Sequence, residues 1–594
     1  KVYYNYENYE IMKASDYMVK FLVDHGTDTV FVFTGGAIAH IIDSMRNYKE
    51  KISYYCVQNE QVGAMAAEAY TRTTGRMGVQ MVTSGPGASN MITGIAGAWY
   101  DCIPAVYLSG QVRTWELTNT DQVISNDRTD EEMKKGLLQR GFQEIDIVNI
   151  VKPITKYAVT ITKPDDIRYE FEKAYYFARE GRPGPVLIDI PMDMQWAEIN
   201  PDELRGFQPP NNQPTDSQSL IKCKEMISNS LKPLIIAGGG IRQGDAVSEF
   251  KELIERTGIP VIFSYAGYDA LPYDHPNNGG VMGQFGQYGA NFVTYNTDLV
   301  IALGTRFTIR QIGNKPKEFA PNAKIINVNI DEGELIGGRV KADLTVRCDI
   351  KNFIKHLSEL NYKTNPKWQN FVMESKVKYP IVLDEYKKEK LVNPYVFMDM
   401  LSKKIDDDAI IIPEIGTNVI VSCQVLQLKE NQRLFSSWAN SPMGYSIPAS
   451  IGAQLGNPGR QIIGILGDGG LQVNLQDLQT IRNYNLPIKI FIWNNHGYAT
   501  IQDFQDGNLD GRYEATDLEH GYSHPDFSKI ATAYDIPYIL ISSNDELTKI
   551  EQALKAKGPV LCELSMDSKF RVSPRQGAND QFHELSPKRS FSLF

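Results

Sequence analysis

The chain has 594 residues, with 61 lysines and arginines against 71 aspartates and glutamates, and a formal net charge of −10. Such a length favours about three domains, the acidic balance argues against a nucleic-acid partner, and no apolar run reaches the roughly 18 residues of a membrane span. The 6 cysteines form no CxxC pair, so we expect no zinc site and a reducing, cytoplasmic location.

Apolar strands alternate with amphipathic helices in the first third of the chain. The segments "TVFVFTGG" (29–36), "MGVQMVTSGPG" (77–87) and "GRPGPVLIDIPMD" (181–193) resemble buried strands, and "NEQVGAMAAEAYTRTTG" (59–75) has the composition of a helix. This alternation predicts a parallel sheet covered by helices on both faces. We assign residues 1–195 to a first domain and the polar, proline-containing stretch 196–218 to a linker.

The same alternation appears twice more. Strand-like segments in the second unit are "PLIIAGGG", "IPVIFSY", "DLVIALGTRF" and "KIINVNID", and those in the third are "AIIIPEIG", "QIIGILGDGG", "IKIFIWNN" and "PVLCELSMD". We therefore predict an α/β protein with three doubly wound, parallel-sheet domains. The second and third domains span 219–365 and 366–565, and an aperiodic tail, expected to be a surface arm or part of a lid, spans 566–594.

One long segment, "GDGGLQVNLQDLQTIRNYNLPIKIFIWNN" (467–495), places an acid after one predicted strand and an amide after the next. Parallel neighbouring strands end at the same edge of a sheet, so Asp468 and Asn495 should lie close together. Their oxygens, with the backbone carbonyl of Gly497, suit Mg²⁺. A diphosphate would complete the coordination, and the glycines of the turn would admit it: Gly467, Gly469 and Gly470.

This segment resembles the GDG…NN motif of thiamine-diphosphate enzymes and is most similar to acetolactate synthase-like members. The resemblance implies a pyrimidine-binding first domain, a flavin-binding-like central domain and a diphosphate-binding third domain. It also implies diphosphate contacts from "EIGTN" (414–418) and a wedge under the cofactor rings from "NSPMGYSIPASIGA" (440–453). The residues implied in this domain are Gly416, Thr417, Asn418, Met443 and Tyr498.

Glu60 is the residue that the resemblance implies for activating the cofactor. It opens the alanine-rich segment that is similar to the family's "HEQ…AAEGYAR", with Asn59 in place of the common histidine. In the family this acid hydrogen-bonds the aminopyrimidine, and apolar surroundings would raise its pKa suitably. Other motifs imply residues near the reaction centre, in "FTGGAIA", "TSGPGASN" and "RGFQE": Gly36, Ser84, Asn90 and Gln143.

The central domain carries segments that resemble the flavin-contacting segments of acetolactate synthases: "IIAGGGI", "LGTRFTIRQ", "NVNIDEGEL" and "VRCDI". The resemblance implies backbone approach at glycines, phosphate pairing by arginines and hydrogen bonds from acids to the ribose or adenine. The residues concerned are Gly238, Gly239, Gly240, Gly304, Arg306, Arg310, Asp331 and Asp349. We expect FAD there; ADP, or no ligand at all, are the alternatives.

The resemblance implies decarboxylation of a 2-oxo acid, commonly pyruvate, and transfer of a two-carbon unit to a carbonyl acceptor. Two departures, the extra residues at about 113–138 and the segment "HGYATIQDFQDGNLDGR" after Asn495, are more similar to homologues associated with surface-polysaccharide synthesis. We therefore expect an acceptor such as a nucleotide-linked keto-sugar. Ordinary acetolactate synthesis from two pyruvates, hydrolysis of a cyclic dione and a non-catalytic subunit are the alternatives.

The resemblance also implies the assembly. In the family, Glu60 and the diphosphate motif of one active site come from different chains. We therefore expect a homodimer or homotetramer with active sites at the subunit interface.

Overall fold

A computed structural model describes residues 11–118, 139–210, 217–577 and 579–590. Most of the insertion at 113–138 lies outside these residues. The chain divides into two compact units. Unit 1 comprises 1–211, 447–458 and 474–484, and unit 2 comprises 212–446, 459–473 and 485–594.

The N-terminal region forms a six-stranded parallel sheet with the order β3-β2-β4-β5-β7-β6, and a two-stranded ribbon, β1-β8. Its strands are β1 (Met12–Lys13), β2 (Thr29–Phe33), β3 (Ser53–Cys56), β4 (Gly78–Val82), β5 (Ala105–Gln111), β6 (Tyr157–Thr160), β7 (Val186–Pro191) and β8 (Glu198–Ile199). Its helices are α1 (Ala14–Asp24), α2 (Ala39–Ser44), α3 (Glu60–Thr74), α4 (Pro86–Asn90), α5 (Ile92–Asp101), α6 (Ile147–Val151), α7 (Ile167–Arg179) and α8 (Met192–Trp196).

The central region forms a second parallel sheet, with the order β11-β10-β9-β12-β13-β14. Its strands are β9 (Pro233–Ala237), β10 (Val261–Phe263), β11 (Asn278–Val281), β12 (Leu299–Leu303), β13 (Lys324–Asn329) and β14 (Leu344–Arg347). Its helices are α9 (Ser217–Ser228), α10 (Gly240–Gln243), α11 (Val247–Thr257), α12 (Tyr288–Asn296), α13 (Ile309–Ile312), α14 (Glu332–Ile336), α15 (Ile350–His356) and α16 (Pro366–Lys378).

The C-terminal region forms a third parallel sheet, with the order β16-β15-β17-β18-β20-β19. Its strands are β15 (Ile410–Pro413), β16 (Arg433–Leu434), β17 (Ile462–Gly467), β18 (Lys489–Asn494), β19 (Tyr538–Ile541) and β20 (Val560–Ser565). Its helices are α17 (Pro394–Lys404), α18 (Thr417–Val425), α19 (Ser446–Gly456), α20 (Asp468–Val473), α21 (Leu478–Asn483), α22 (Ala499–Asn508), α23 (Phe527–Ala533) and α24 (Lys549–Lys555).

The predicted fold class, three parallel-sheet α/β domains, is confirmed. Successive residues of the inner strands enter different apolar clusters: Val106 and Leu108 join one, whereas Ala105 and Tyr107 join another. A sheet buried on both faces needs continuous apolar strands, which is why the sequence shows runs rather than polar–apolar alternation. Among the described residues, no helix is long and apolar enough to cross a membrane.

The tail is more firmly docked than an aperiodic segment suggests. Phe582 is 1% exposed and belongs to the apolar cluster on one face of the central sheet. The Asn291 amide donates to the Phe582 carbonyl at 2.9 Å, and the Tyr288 hydroxyl donates to the Pro587 carbonyl at 2.8 Å. The described part of the tail therefore packs against the central region of unit 2, and its expected role as a surface arm or part of a lid stays a prediction.

Candidate active site

In unit 1, Glu60 is the first residue of α3, and the Asn59 side chain caps that helix by accepting from the Gln61 N–H at 2.8 Å. Glu60 is 6% exposed, and the Asn90 amide donates to its carboxylate at 2.9 Å. The Gln80 amide donates to the Glu60 carbonyl at 2.6 Å. These contacts hold a buried acid at the start of a helix, with one neutral donor on its side chain.

Two turns lie near this acid, one with Gly85 and Gly87 and one with Gln143. A Cβ built on Gly87 would lie 3.5 Å from the Glu60 Oε1, and one on Gly85 would lie 2.7 Å from the Gln143 carbonyl oxygen. Gly85 and Gln143 both have positive φ, at 60° and 63°. The predicted residues Glu60, Asn90 and Gln143 are thus brought together in unit 1.

Gly36 and Ser84 lie in the turns that follow β2 and β4. These turns are in contact, because a Cβ on Gly35 would lie 2.5 Å from the Thr83 Cβ. Ser84 is 3% exposed, whereas a Cβ on Gly36 would meet no atom within 4 Å. Gly36 therefore borders open space, as a glycine that lines a reaction centre would, and its role stays a prediction.

In unit 2, β17 and β18 are parallel neighbours with Gly467 opposite Trp493, so Asp468 and Asn495 follow adjacent strand ends. Asp468 is the first residue of α20, so Gly469 and Gly470 lie in the first turn of this helix, and residues 467–469 are called the GDG turn below. Its carboxylate accepts from the Gly469 N–H at 2.8 Å and the Gly497 N–H at 3.2 Å. Burial raises the pKa of Asp468, and these N–H groups partly offset that effect.

This strand edge fits a hard cation. Asn495 is 7% exposed, and its amide nitrogen is buried without a hydrogen-bond partner in the described part of the chain. This nitrogen is a donor that suits a diphosphate oxygen, so only the amide oxygen of Asn495 could bind the cation. The Gly497 carbonyl accepts from the Ala499 N–H at 3.2 Å and retains a second lone pair. Within the described residues, no group of three or more His, Cys, Asp and Glu could hold a metal. Besides the Asp468 carboxylate, a cation bound here would need oxygens from the Asn495 amide, from the backbone and from a bound molecule. A diphosphate would supply the oxygens of the bound molecule.

The turn after β15 reaches the same edge. Gly416 has φ of 122° and precedes α18, whose first two residues are Thr417 and Asn418. A Cβ on Gly416 would lie 3.2 Å from the Asn418 Oδ1 and 3.8 Å from the Thr500 Oγ1. The Asn418 side chain points back toward the sheet, since its amide donates to the Ile465 carbonyl at 3.4 Å.

Met443 and Tyr498 flank the GDG turn. A Cβ on Gly469 would lie 3.3 Å from the Met443 Cε and 2.5 Å from the Tyr498 Cε1. A cavity of about 420 Å³ opens beside them, with Gly469, Tyr498 and Tyr522 in its lining. Of the predicted diphosphate residues, Gly469 and Tyr498 line this cavity, and Asp468 and Gly497 are joined by a hydrogen bond at the strand edge.

Sequence reasoning missed Glu414 at this edge. The residue is 1% exposed, and a Cβ on Gly470 would lie 2.1 Å from its Oε1. The sequence does contain a signal: an acid inside the strand-like apolar run "AIIIPEIG" is costly to bury and therefore suggests a specific role. No spacing rule marked it as part of the site.

The predicted flavin residues lie at the carboxyl ends of β9, β12, β13 and β14, along one edge of the central sheet. A Cβ on Gly238 would lie 2.2 Å from the Gly304 oxygen, and one on Gly240 would lie 2.6 Å from the Gly304 Cα. Close packing of two turns thus explains these glycines without a ligand, whereas Gly239 faces Ala266 at 3.2 Å.

The charged residues among the predicted flavin contacts differ in their hydrogen bonds and in their exposure. Asp331 caps α14 by accepting from the Gly333 N–H, and Asp349 caps α15 by accepting from the Asn352 N–H. Arg310 is exposed and Arg306 is half-buried. The two acids that were expected to bind a ribose or adenine therefore already serve as helix caps.

Three domain families match the chain, and together they define its class. The thiamine pyrophosphate enzyme N-terminal TPP-binding domain matches residues 12–150, the central domain matches 220–357 and the C-terminal TPP-binding domain matches 414–564. The matches include β1 to β5, all six strands of the central sheet and β16 to β19, with most of β20, together with the turns that carry Glu60, Asp468 and Asn495.

Relatives that match along most of their length identify the family within this class of enzymes. The chain is 34% identical to the acetolactate synthase large subunit of Cyanidium caldarium over 579 residues, which cover 94% of each chain. It is 32% identical to the acetolactate synthase large subunit of Lactococcus lactis subsp. lactis over 94% of each chain. It is 33% identical to the probable acetolactate synthase large subunit of Methanocaldococcus jannaschii over 94% of this chain and 92% of the relative. The chain belongs to the acetolactate synthase-like family of thiamine-diphosphate-dependent enzymes.

Proposed function

We propose that this chain decarboxylates pyruvate and transfers the remaining acetyl unit to a second 2-oxo acid, forming acetolactate. The observation that carries the proposal is the similarity to acetolactate synthase large subunits along 94% of the chain. The buried acids Glu60 and Asp468, which such chemistry requires, are both present. This proposal replaces the keto-sugar reading as the leading one, because the relatives favour the simpler acceptor.

Bound thiamine diphosphate supplies a carbon nucleophile and an electron sink for decarboxylation and carbon–carbon bond formation. In the proposal, Glu60 would hydrogen-bond the aminopyrimidine, and its place at the start of α3, where the Asn90 amide orients its carboxylate, suits that role. Asp468, Asn495 and the Gly497 carbonyl hold Mg²⁺ and so neutralise the diphosphate. Gln143 orients the substrate, and Met443 supports the cofactor rings.

A larger carbonyl acceptor, such as a nucleotide-linked keto-sugar, is the second candidate. The observation in its favour is the exposed apolar face of α22, where Ile501 is 50% and Phe504 58% exposed. This helix follows the Asn495 turn, and the open cavity beside Tyr498 offers room for a bulky acceptor. An association with surface-polysaccharide synthesis belongs to this second candidate.

Two further features belong to the proposal. We propose FAD at the carboxyl edge of the central sheet, where β9 and β12 form the topological switch point of a doubly wound fold. A yellow protein that releases flavin on denaturation would support this assignment, whereas a colourless, active protein would contradict it.

We also propose a homodimer or homotetramer in which Glu60 serves the diphosphate site of another chain.

The deciding experiment supplies pyruvate alone, with thiamine diphosphate and Mg²⁺, and measures CO₂ and acetolactate. The proposal predicts one CO₂ and one acetolactate for every two pyruvates consumed. Acetyl transfer only when a keto-sugar is added would favour the second candidate. Consumption of a cyclic dione without release of CO₂ from pyruvate would contradict both.

A further inference from the structure

Glu414 is a buried carboxyl that connects three turns at the C-terminal strand edge. It follows β15, and its Oε1 accepts from the Gly444 N–H at 2.7 Å. The Ser446 N–H also donates to this carboxyl. Glu414 therefore links the turn that begins the predicted diphosphate loop to the turn that carries Met443.

The same carboxyl also lies against the GDG turn. A Cβ on Gly470 would come within 2.1 Å of Oε1 and 2.9 Å of Oε2, so any side chain at position 470 would displace the carboxyl. The Oε2 atom is buried and has no hydrogen-bond partner in the part of the chain that the structure describes. The carboxyl thus occupies the space that the glycine leaves free.

The residue that donates to Glu414, Gly444, directly follows Met443 in the chain. Gly444 has φ of 81°, a left-handed conformation that favours glycine, and the Glu414 contact stabilises this turn. From this turn, Met443 reaches to 3.3 Å from a Cβ position on Gly469. A small movement of the turn would therefore move the Met443 side chain relative to the GDG turn.

We propose that Glu414 is a positioning residue that sets Met443 against the GDG turn and thereby fixes the shape of the thiamine diphosphate site. The inference deepens the proposed function and rests on its thiamine diphosphate site. Burial raises the pKa of Glu414 to about 8, with backbone N–H groups opposing the shift and no charged partner contributing. An uncharged carboxyl holds the turn through shape and hydrogen bonding, so glutamine should replace it.

The test titrates full-length protein with thiamine diphosphate and Mg²⁺ and follows affinity by tryptophan fluorescence and cofactor geometry by near-ultraviolet circular dichroism. Glu414→Ala should weaken binding about tenfold or more and change the dichroism of the bound cofactor, as loss of supporting contacts does at metal sites. Glu414→Gln should keep both within about threefold of wild type, since its Oε1 still accepts from Gly444.

A matched control is Asp189→Asn, which removes a buried carboxyl from unit 1. Asp189 is 1% exposed, burial raises its pKa to about 7, and Ser109 donates to it at 2.7 Å. This variant should keep wild-type cofactor affinity. If Glu414→Ala does not fold, Gly470→Ala displaces the same carboxyl from the other side and should weaken binding similarly.

Unchanged affinity and dichroism in a folded Glu414→Ala or Gly470→Ala protein would overturn the inference. A Glu414→Gln protein that binds the cofactor as poorly as Glu414→Ala would also overturn the inference. An uncharged side chain of the same shape would then be unable to hold the turn. Failure of the wild-type protein to bind thiamine diphosphate would instead defeat the proposed function. The two failures are therefore distinguishable.

Discussion

With strands numbered within each sheet, the N- and C-terminal sheets both have the order 2-1-3-4-6-5, whereas the central sheet has the order 3-2-1-4-5-6. Each outer sheet presents a buried acid near its carboxyl edge, Glu60 in one and Asp468 in the other. The corresponding acids of the central sheet, Asp331 and Asp349, cap helices instead. Acids near the carboxyl edges of similar sheets therefore differ in role: some are buried at a candidate site and others cap helices. Their hydrogen bonds and burial distinguish the two cases, whereas the sequence around them does not.

The largest effect should come from Glu60→Gln, which tests the N-terminal edge. The amide cannot exchange a proton as the acid does, so release of CO₂ from pyruvate should slow about 10²–10⁴-fold. Cofactor affinity should stay within a few-fold of wild type. Stopped-flow decarboxylation and calorimetry measure the two, with the exposed Glu198→Gln as control. Wild-type rates in Glu60→Gln would remove this acid from the chemistry.

Asp468→Ala tests the C-terminal edge. Loss of a cation ligand should weaken retention of Mg²⁺ and thiamine diphosphate by about 10–100-fold or more. Equilibrium dialysis with both ligands measures the loss. Asp407→Ala, which removes an exposed acid of the same unit, should bind like wild type. Equal affinities in the two variants would reject the proposed ligand role of Asp468.

Gly304→Ala tests whether the central turn is a packing feature. Gly304 has φ of 56°, and its Cβ would lie 2.6 Å from the Gly240 Cα. Overpacking against backbone should cost about 1–3 kcal/mol of stability and lower the Tm. Thiamine diphosphate affinity should not change. Gly459→Ala, whose Cβ would meet nothing within 4 Å, is the control, and equal Tm values would contradict the packing explanation.

The last prediction concerns the pH dependence of stability. Because the pKa of Glu414 lies at about 8 in the folded protein and at 4.5 ordinarily, the folded state retains a proton that the unfolded state loses. Wild-type stability should therefore fall as pH rises from about 4.5 to 8, and Glu414→Gln should lack this contribution. The Tm advantage of Glu414→Gln should grow between pH 5.5 and 8. A pH-independent Tm difference would contradict a buried neutral carboxyl.

The sheet edges of the fold were predictable because apolar runs mark buried strands and the spacing of the GDG and NN motifs fixes two neighbouring strands. The gathering of Asp468, Asn495 and Gly497 follows from that adjacency. The expected flavin acids were harder to interpret, since an aspartate that caps a helix and one that binds a ribose occur in the same sequence setting.

Other contacts were beyond sequence reasoning because they join distant segments without periodic signals. Phe582 lies in an aperiodic tail yet enters the core of the central region. Glu414 and Gly470 are 56 positions apart, and only their three-dimensional contact explains why the second position must be glycine. The roles of the predicted site residues stay predictions until the variants are measured.

The proposed function depends most on a magnesium-dependent thiamine diphosphate site at the C-terminal strand edge. Isothermal titration calorimetry of the folded wild-type protein with thiamine diphosphate tests it directly, in Mg²⁺ and again with EDTA. We expect saturable binding of one cofactor per chain in Mg²⁺ and much weaker binding in EDTA. No binding in either buffer, or equal binding in both, would contradict it.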